Sequence, residues 1–237
     1  MNKKILIIKT GKTVSSVPAK KGDFEHWIIA GTGITANQFE TVNVFEDKSL
    51  PELEKIRGIF ITGSPAMVTD SHPWIKRTID YVQHAMTLSI PMLGICFGHQ
   101  LLAKSLEGLV DFHPQGREIG TTWVQLTAAA MSDPLFRGLP EQFPVNVSHS
   151  QSVLKPPASA QLLAYNDFEA HQGLRFNDTT WGVQFHPEFD GEVMLSYINE
   201  RYQDIRNEGL DPDLLLAETL DVEISATILK NFAQLIQ

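Results

Sequence analysis

Pro91-Met92-Leu93-Gly94-Ile95-Cys96-Phe97-Gly98-His99-Gln100-Leu101-Leu102 is the stretch on which the reading of this 237-residue chain turns. Its first half is a short apolar run of the kind that forms a buried strand. In its second half, Phe97, Leu101, Leu102 and, further on, Leu106 fit a helix. Between the two lies a glycine, any residue, Cys96, any residue, then a second glycine, which is the strand–turn–helix context of a nucleophile elbow. Such a turn holds its central residue in a strained conformation, and a side chain at Gly94 or Gly98 would collide with neighbouring backbone. Cys96 would stand at a helix N-terminus, where unpaired N–H groups and the helix dipole favour negative charge and lower a thiol pKa. The N–H of Phe97 would point to where an oxyanion develops on an attacked carbonyl. A lone cysteine is more often an inert buried thiol, but glycines on both sides at such a turn reverse that preference.

Outward from this stretch, Ile5–Ile8, Thr41–Phe45 and Gly58–Thr62 read as earlier strands, with Ile90–Ile95 as the strand that enters the elbow. Their continuous apolar character predicts strands buried on both faces, as in a parallel sheet covered by helices. Ser71-His72-Pro73-Trp74 is a helix-start signal, and Ile75, Ile79, Val82 and Met86 then mark one helix face. Gly108 is placed to end the helix after Cys96. Beyond it, Thr121–Leu126, Val145–Val147, Gln161–Ala164 and Trp181–Phe185 are short strand candidates, while Pro140, Pro144, Pro156 and Pro157 exclude a long helix. From about Asp190 the pattern is helical, with a start at Asp211-Pro212 and a last helix over Ile224–Ile236. The fold class expected is α/β: a mostly parallel sheet flanked by helices, one domain over residues 1–190, and a helical C-terminal extension over 191–237 packed on it.

A thiolate that attacks an amide needs a partner to stabilise it and to protonate the leaving amine, a task histidine performs best near neutral pH. Of the eight histidines, His186 stands at the end of the run Trp181–Phe185, so it would share with Cys96 the C-terminal edge of the sheet, where functional residues of α/β folds gather. Pro187 stiffens the turn, and Glu188 is placed to fold back on the imidazole and fix its tautomer. His26, His72, His84 and His113 lie in loops or on helices without an evident partner, and His171, beside Glu169, reads as structural. With no His-x-x-x-His or Cys-x-x-Cys spacing, no metal site is expected.

The formal net charge of −9 and pI of about 5.3, without a lysine- or arginine-rich run, argue against nucleic-acid binding. Ile5–Ile8 is too short for the apolar core of a signal peptide, and no stretch approaches the length that spans a bilayer. Cys96 is the only cysteine, so an intrachain disulfide is impossible. A cytoplasmic protein that contacts neither membrane nor nucleic acid is expected.

Gly94–Gln100 together with Gln184-Phe185-His186-Pro187-Glu188, two motifs about 90 residues apart, resembles the class I (triad) glutamine amidotransferases, above all stand-alone proteins related to the amidotransferase part of GMP synthase. The resemblance spans roughly residues 1–190 and implies a flavodoxin-like sheet. It implies Cys96 as nucleophile, His186 as base and acid, and Glu188 as its orienter. It implies an oxyanion hole of backbone donors from Gly63 and Ser64 beside that of Phe97, and contacts from Gln100, Ser148, His149 and Ser150 to bound glutamine. Two positions depart from the family pattern: Gln151 stands where an acidic residue is frequent, and the turn after the third strand is Gly63-Ser64 rather than a glycine pair. The activity implied is hydrolysis of the γ-amide of glutamine without a cofactor. The chain carries neither a P-loop nor a Ser-Gly-Gly-x-Asp-Ser phosphate loop, so ammonia would pass to a separate synthase subunit. A stand-alone γ-glutamyl peptidase or hydrolase is the alternative expectation, and a non-catalytic regulatory subunit the third.

Overall fold

The computed structural model describes residues 3–237. Its strands are β1 (Lys4–Lys9), β2 (Phe39–Asn43), β3 (Ile56–Ile61), β4 (Met92–Ile95), β5 (Leu109–Phe112), β6 (Glu118–Leu126), β7 (Gln142–His149), β8 (Gln151–Lys155), β9 (Gln161–Tyr165), β10 (Gly173–Asn177) and β11 (Thr180–Val183). Its α-helices are α1 (Phe24–Thr32), α2 (Pro73–Thr87), α3 (Phe97–Ser105), α4 (Gly191–Glu200), α5 (Tyr202–Asn207), α6 (Pro212–Glu218) and α7 (Thr227–Leu235). Nine strands form one sheet in the order β2-β1-β3-β4-β11-β10-β9-β6-β7. From β2 to β11 every pairing is parallel, and from β11 to β7 every pairing is antiparallel. The expected mostly parallel α/β sheet is thus a mixed sheet whose parallel half contains β4. β5 and β8 make a separate two-stranded ribbon.

The period of two along each strand divides the core. On β1, Ile5 and Ile7 join one buried cluster and Leu6 and Ile8 the other. Phe60 of β3 and Leu93 of β4 face the first, and Ile59 and Met92 the second. The first cluster is closed by Ile28 of α1 and by Ile228, Leu229 and Phe232 of α7. The second is closed by Ile75 and Val82 of α2 and Leu101 and Leu102 of α3. Both faces of the parallel strands are therefore covered, which is why their sequences read as unbroken apolar runs. A third cluster gathers Phe24, Phe189, Met194, Tyr197 and Ile205 where α1, α4 and α5 meet. Among the described residues no helix is long and apolar enough to cross a membrane.

Several boundaries moved for local reasons. The second strand ends at Asn43, and Val44–Glu46 coils into a 3-10 turn that drops Val44 into the core. The strand expected to reach Phe185 stops at Val183, because Gln184 and His186 turn their N–H groups to the carbonyls of Gln172 and Asn146. The helix after Cys96 ends in a Schellman arrangement: the Gly108 N–H reaches Ala103 O and the Glu107 N–H reaches Lys104 O. The left-handed residue of that cap is Glu107, at φ 67°, rather than Gly108. Pro144 lies inside β7, which an edge strand tolerates because one side needs no donor. The last helix is shorter than Ile224–Ile236, its first turn being a 3-10 segment.

The Phe232 ring meets Phe60 edge-on at 4.9 Å and Trp181 at 6.4 Å, fully buried under the sheet. Phe232→Ala is expected to cost about 3–5 kcal/mol of stability, read as a lowered midpoint in denaturant unfolding. A loss below about 1 kcal/mol would mean that α7 does not close this core.

Candidate active site

Cys96 links β4 to α3 at φ 51° and ψ −102°, a conformation costly for any residue with a Cβ. The fold holds it there by close packing. A Cβ on Gly94 would lie 2.4 Å from the Gly98 carbonyl, and one on Gly98 would lie 2.4 Å from Ile61 O. Both glycines are thus required by contact with backbone, as the sequence pattern predicts. The Cys96 N–H donates to Val183 O at 2.8 Å, which ties the elbow to the end of β11.

That tie explains why residues distant in sequence meet. β4 and β11 run parallel with Gly94 opposite Gly182 and Ile95 opposite Val183, so the chain beyond Ile95 and the chain beyond Val183 emerge side by side. His186 is 2% exposed and is anchored by its N–H on Asn146 O at 2.8 Å. Its Nδ1 lies 2.8 Å from Glu188 Oε1. A carboxylate only accepts, so Nδ1 carries the hydrogen and Nε2 is left for the sulfur. Phe189 stacks on the imidazole at 3.9 Å, and a Cβ on Gly63 would stand 2.8 Å from its Cε1. The ring is therefore packed against Phe189, and the lack of a side chain on Gly63 leaves room for its Cε1.

Burial opposes charge on His186, but the charges of Glu188 and Cys96 outweigh it and push its pKa up to about 10. Burial alone would raise the Cys96 thiol; the His186 charge, its hydrogen bond to sulfur and the charge of His149 prevail, and the thiol pKa is lowered. Both shifts act in the same direction, favouring the proton on His186 over the proton on sulfur.

The other predicted site residues surround the sulfur. Ser64, Phe97, Gln100, Ser148, His149 and Ser150 line one cleft with Cys96. The Gly63-Ser64 turn is held by Thr10, whose hydroxyl donates to Gly63 O at 2.8 Å and whose carbonyl accepts from the Ser64 hydroxyl at 2.7 Å. Ser148 O lies 3.8 Å from the sulfur. Gln100 is more constrained than its place in the motif suggests: its amide nitrogen donates to Gln151 O at 2.7 Å and to Gln184 Oε1 at 3.0 Å. Only its oxygen remains for a ligand.

His149 is held by its own carboxylate. Its Nε2 faces Glu118 Oε2 at 2.8 Å and its Nδ1 faces Gln151 O at 3.1 Å. Both partners only accept, so both ring nitrogens carry hydrogen and the imidazole is a cation. Burial opposes this, but the hydrogen bond and charge of Glu118 overcome it, and the His149 pKa is raised. Glu118 also accepts from Gln172 at 2.9 Å and Asn166 at 2.7 Å. Glu118, Asn146, Phe189 and Arg201, which also lines the cleft, carry no sequence signal for a site, because each reaches it only through tertiary packing. Among the remaining histidines, His26 closes a capping box at the start of α1 and His113 stacks on Phe168, while His171 lies 3.9 Å from Glu169.

A mixed sheet with a thiol elbow at the end of β4 and a His–Glu pair in the turn after β11 defines a class of protein. The profile of the family described as "Glutamine amidotransferase class-I" matches residues 23–203. A glutamine-hydrolyzing GMP synthase subunit of Sulfolobus acidocaldarius is 33% identical over 168 residues, which cover 70% of this chain and 85% of that protein. Gamma-glutamyl peptidase 4 of Arabidopsis thaliana is 29% identical over 196 residues, 79% of this chain and 77% of that protein. The crystal structure of a glutamine amidotransferase from Thermotoga maritima shares the fold, with a TM-score of 0.79 at 22% identity over 100% of this chain and 98% of that one. The chain belongs to the class-I glutamine amidotransferase family.

The lowered thiol has a direct readout. Alkylation of Cys96 by iodoacetamide is expected to reach its plateau rate well below pH ~8.5, the ordinary thiol pKa. His186→Gln removes the largest lowering influence and moves the inflection upward. A wild-type inflection at or above ~8.5 would contradict the ion pair.

Proposed function

We propose that the protein hydrolyses the amide of a γ-glutamyl compound, free glutamine among them, through a thioester on Cys96. The observation that carries this reading is Cys96 in its elbow beside a His186 imidazole held by Glu188. The thiolate attacks the γ-carbonyl and a C–S bond forms. Backbone N–H groups of Phe97 and of the Gly63-Ser64 turn stabilise the oxyanion. As the tetrahedral intermediate collapses, the C–N bond breaks and the His186 imidazolium gives its proton to the departing nitrogen. Water then attacks the thioester, His186 takes its proton, glutamate leaves and the thiolate is restored.

Two fates of the nitrogen share this chemistry. With glutamine, the ammonia would pass to a separate synthase subunit. The relative named as a GMP synthase subunit supports that reading. With a γ-glutamyl conjugate the enzyme would act alone, supported by the relative named gamma-glutamyl peptidase 4. A purely regulatory subunit would have no use for a thiol and imidazole held at such conformational cost. In this reading residues 1–190 supply the reacting groups and 191–237 form the helical extension beside them. A reactive unpaired thiol fits the reducing cytoplasm.

Purified protein is expected to release glutamate from glutamine or a γ-glutamyl peptide, and Cys96→Ala to lower kcat by at least about 1000-fold. Glu188→Gln retains the thiol but loses the orienting carboxylate, and is expected to lower kcat by about 100-fold or more. Turnover should also fall as pH rises through about 10, where His186 loses the proton it donates. Equal glutamate release by wild type and Cys96→Ala would remove the thioester from the mechanism.

A further inference from the structure

The space around Cys96 has two lobes, and Ser64, Ser148 and Arg201 border both. One lobe, with Gln100 and Ser150, encloses about 90 Å³. The other lies on the His186 side, is bordered by Thr13 and Tyr197, and encloses about 290 Å³. If His186 protonates the leaving nitrogen, as proposed above, the leaving group lies in the His186 lobe. Ammonia is about the size of water and would need only about 10–15 Å³ of such space. The lobe has room for a leaving amine that carries several more heavy atoms.

The chemistry of that lobe comes from Arg201. It stands at the bend between α4 and α5, with its N–H on Tyr197 O at 3.2 Å. Its Nε is buried without a partner, and among the described residues its guanidinium enters no ion pair. The nearby carboxylates already have donors: Glu208 accepts twice from Arg117 at 2.8 Å, and Glu200 accepts from Ser15 and Ser16. Lys12, also on this lobe, is largely exposed and lies 3.5 Å from Glu46. A half-buried guanidinium that borders a cavity and enters no ion pair is suited to a carboxylate that it can grip with two parallel bonds.

We propose that Arg201 binds a carboxylate carried by the leaving amine, so that the preferred substrates are γ-glutamyl amino acids rather than free glutamine. The proposal rests on the Cys96 reading for the assignment of the lobes, yet it can be tested without turnover. Calorimetric titration of the Cys96→Ala protein with γ-glutamylglycine and with γ-glutamylmethylamide compares ligands that differ in the leaving-group carboxylate. γ-Glutamylglycine is expected to bind more tightly. Adding Arg201→Met should weaken γ-glutamylglycine roughly 10- to 100-fold and leave γ-glutamylmethylamide unchanged. Arg201→Lys should recover part of the loss, because an ammonium keeps the charge but not the paired bonds. Equal weakening of both ligands, no weakening of either, or no binding of either to the Cys96→Ala protein would overturn the proposal. If the discrimination holds while Cys96→Ala retains wild-type turnover, the carboxylate site stands and the thioester mechanism falls.

Discussion

The site depends on one hydrogen bond between neighbouring strand ends, from the Cys96 N–H to Val183 O at 2.8 Å. It closes the parallel register of β4 and β11 at the edge where both chains leave the sheet. Cys96 turns into α3 on one side, and the chain toward His186 continues on the other. A slip of one residue would exchange the faces of β4, sending Leu93 and Ile95 into the wrong core cluster. The register that places the sulfur beside the imidazole is thus the one required by burial of apolar side chains. Positioning for chemistry and packing of the core are the same constraint.

Glycine makes that register usable. Gly94 and Gly98 let the elbow approach itself and Ile61, so α3 starts directly over the strand end. Gly63 does the equivalent on the other side, giving the His186 ring the space a methyl group would fill. The strained φ of Cys96 is stable because the alternatives would break the Val183 hydrogen bond or pull α3 from its buried contacts with α2.

How much of this is legible in the sequence depends on range. The elbow is local, and glycine spacing announces it. Ile5–Ile8 and Gly58–Thr62 are legible because strands buried on both faces cannot hide their composition. β5, β8 and β10 are not: each is short, and exposed apolar residues such as Leu109 and Phe112 blur the alternation that marks a half-buried strand. Helix α1 is hidden too, its start being a capping box in which His26 replaces the usual Glu or Gln. The supporting residues are illegible for a different reason. Asn146, Glu118 and Phe189 act through partners fixed only once β6, β7 and the turn after β11 have assembled. Sequence alone can name His149 but not say that both its nitrogens are occupied.

Two imidazoles flank one sulfur, and the structure separates their roles by what their nitrogens meet. His149 has acceptors on both, so moving its proton would break a buried hydrogen bond to Glu118 or Gln151. Its charge is fixed and acts on Cys96 from a distance. His186 has an acceptor on Nδ1 only, so the proposed proton exchange at Nε2 would leave the Glu188 bond in place. A protein of formal charge −9 must counter its own field to keep a thiolate. Pairing each imidazole with a buried carboxylate keeps two positive rings beside the sulfur without leaving either as an isolated buried ion. In the proposed mechanism the His149 ring helps hold the thiolate, and the His186 ring moves the proton.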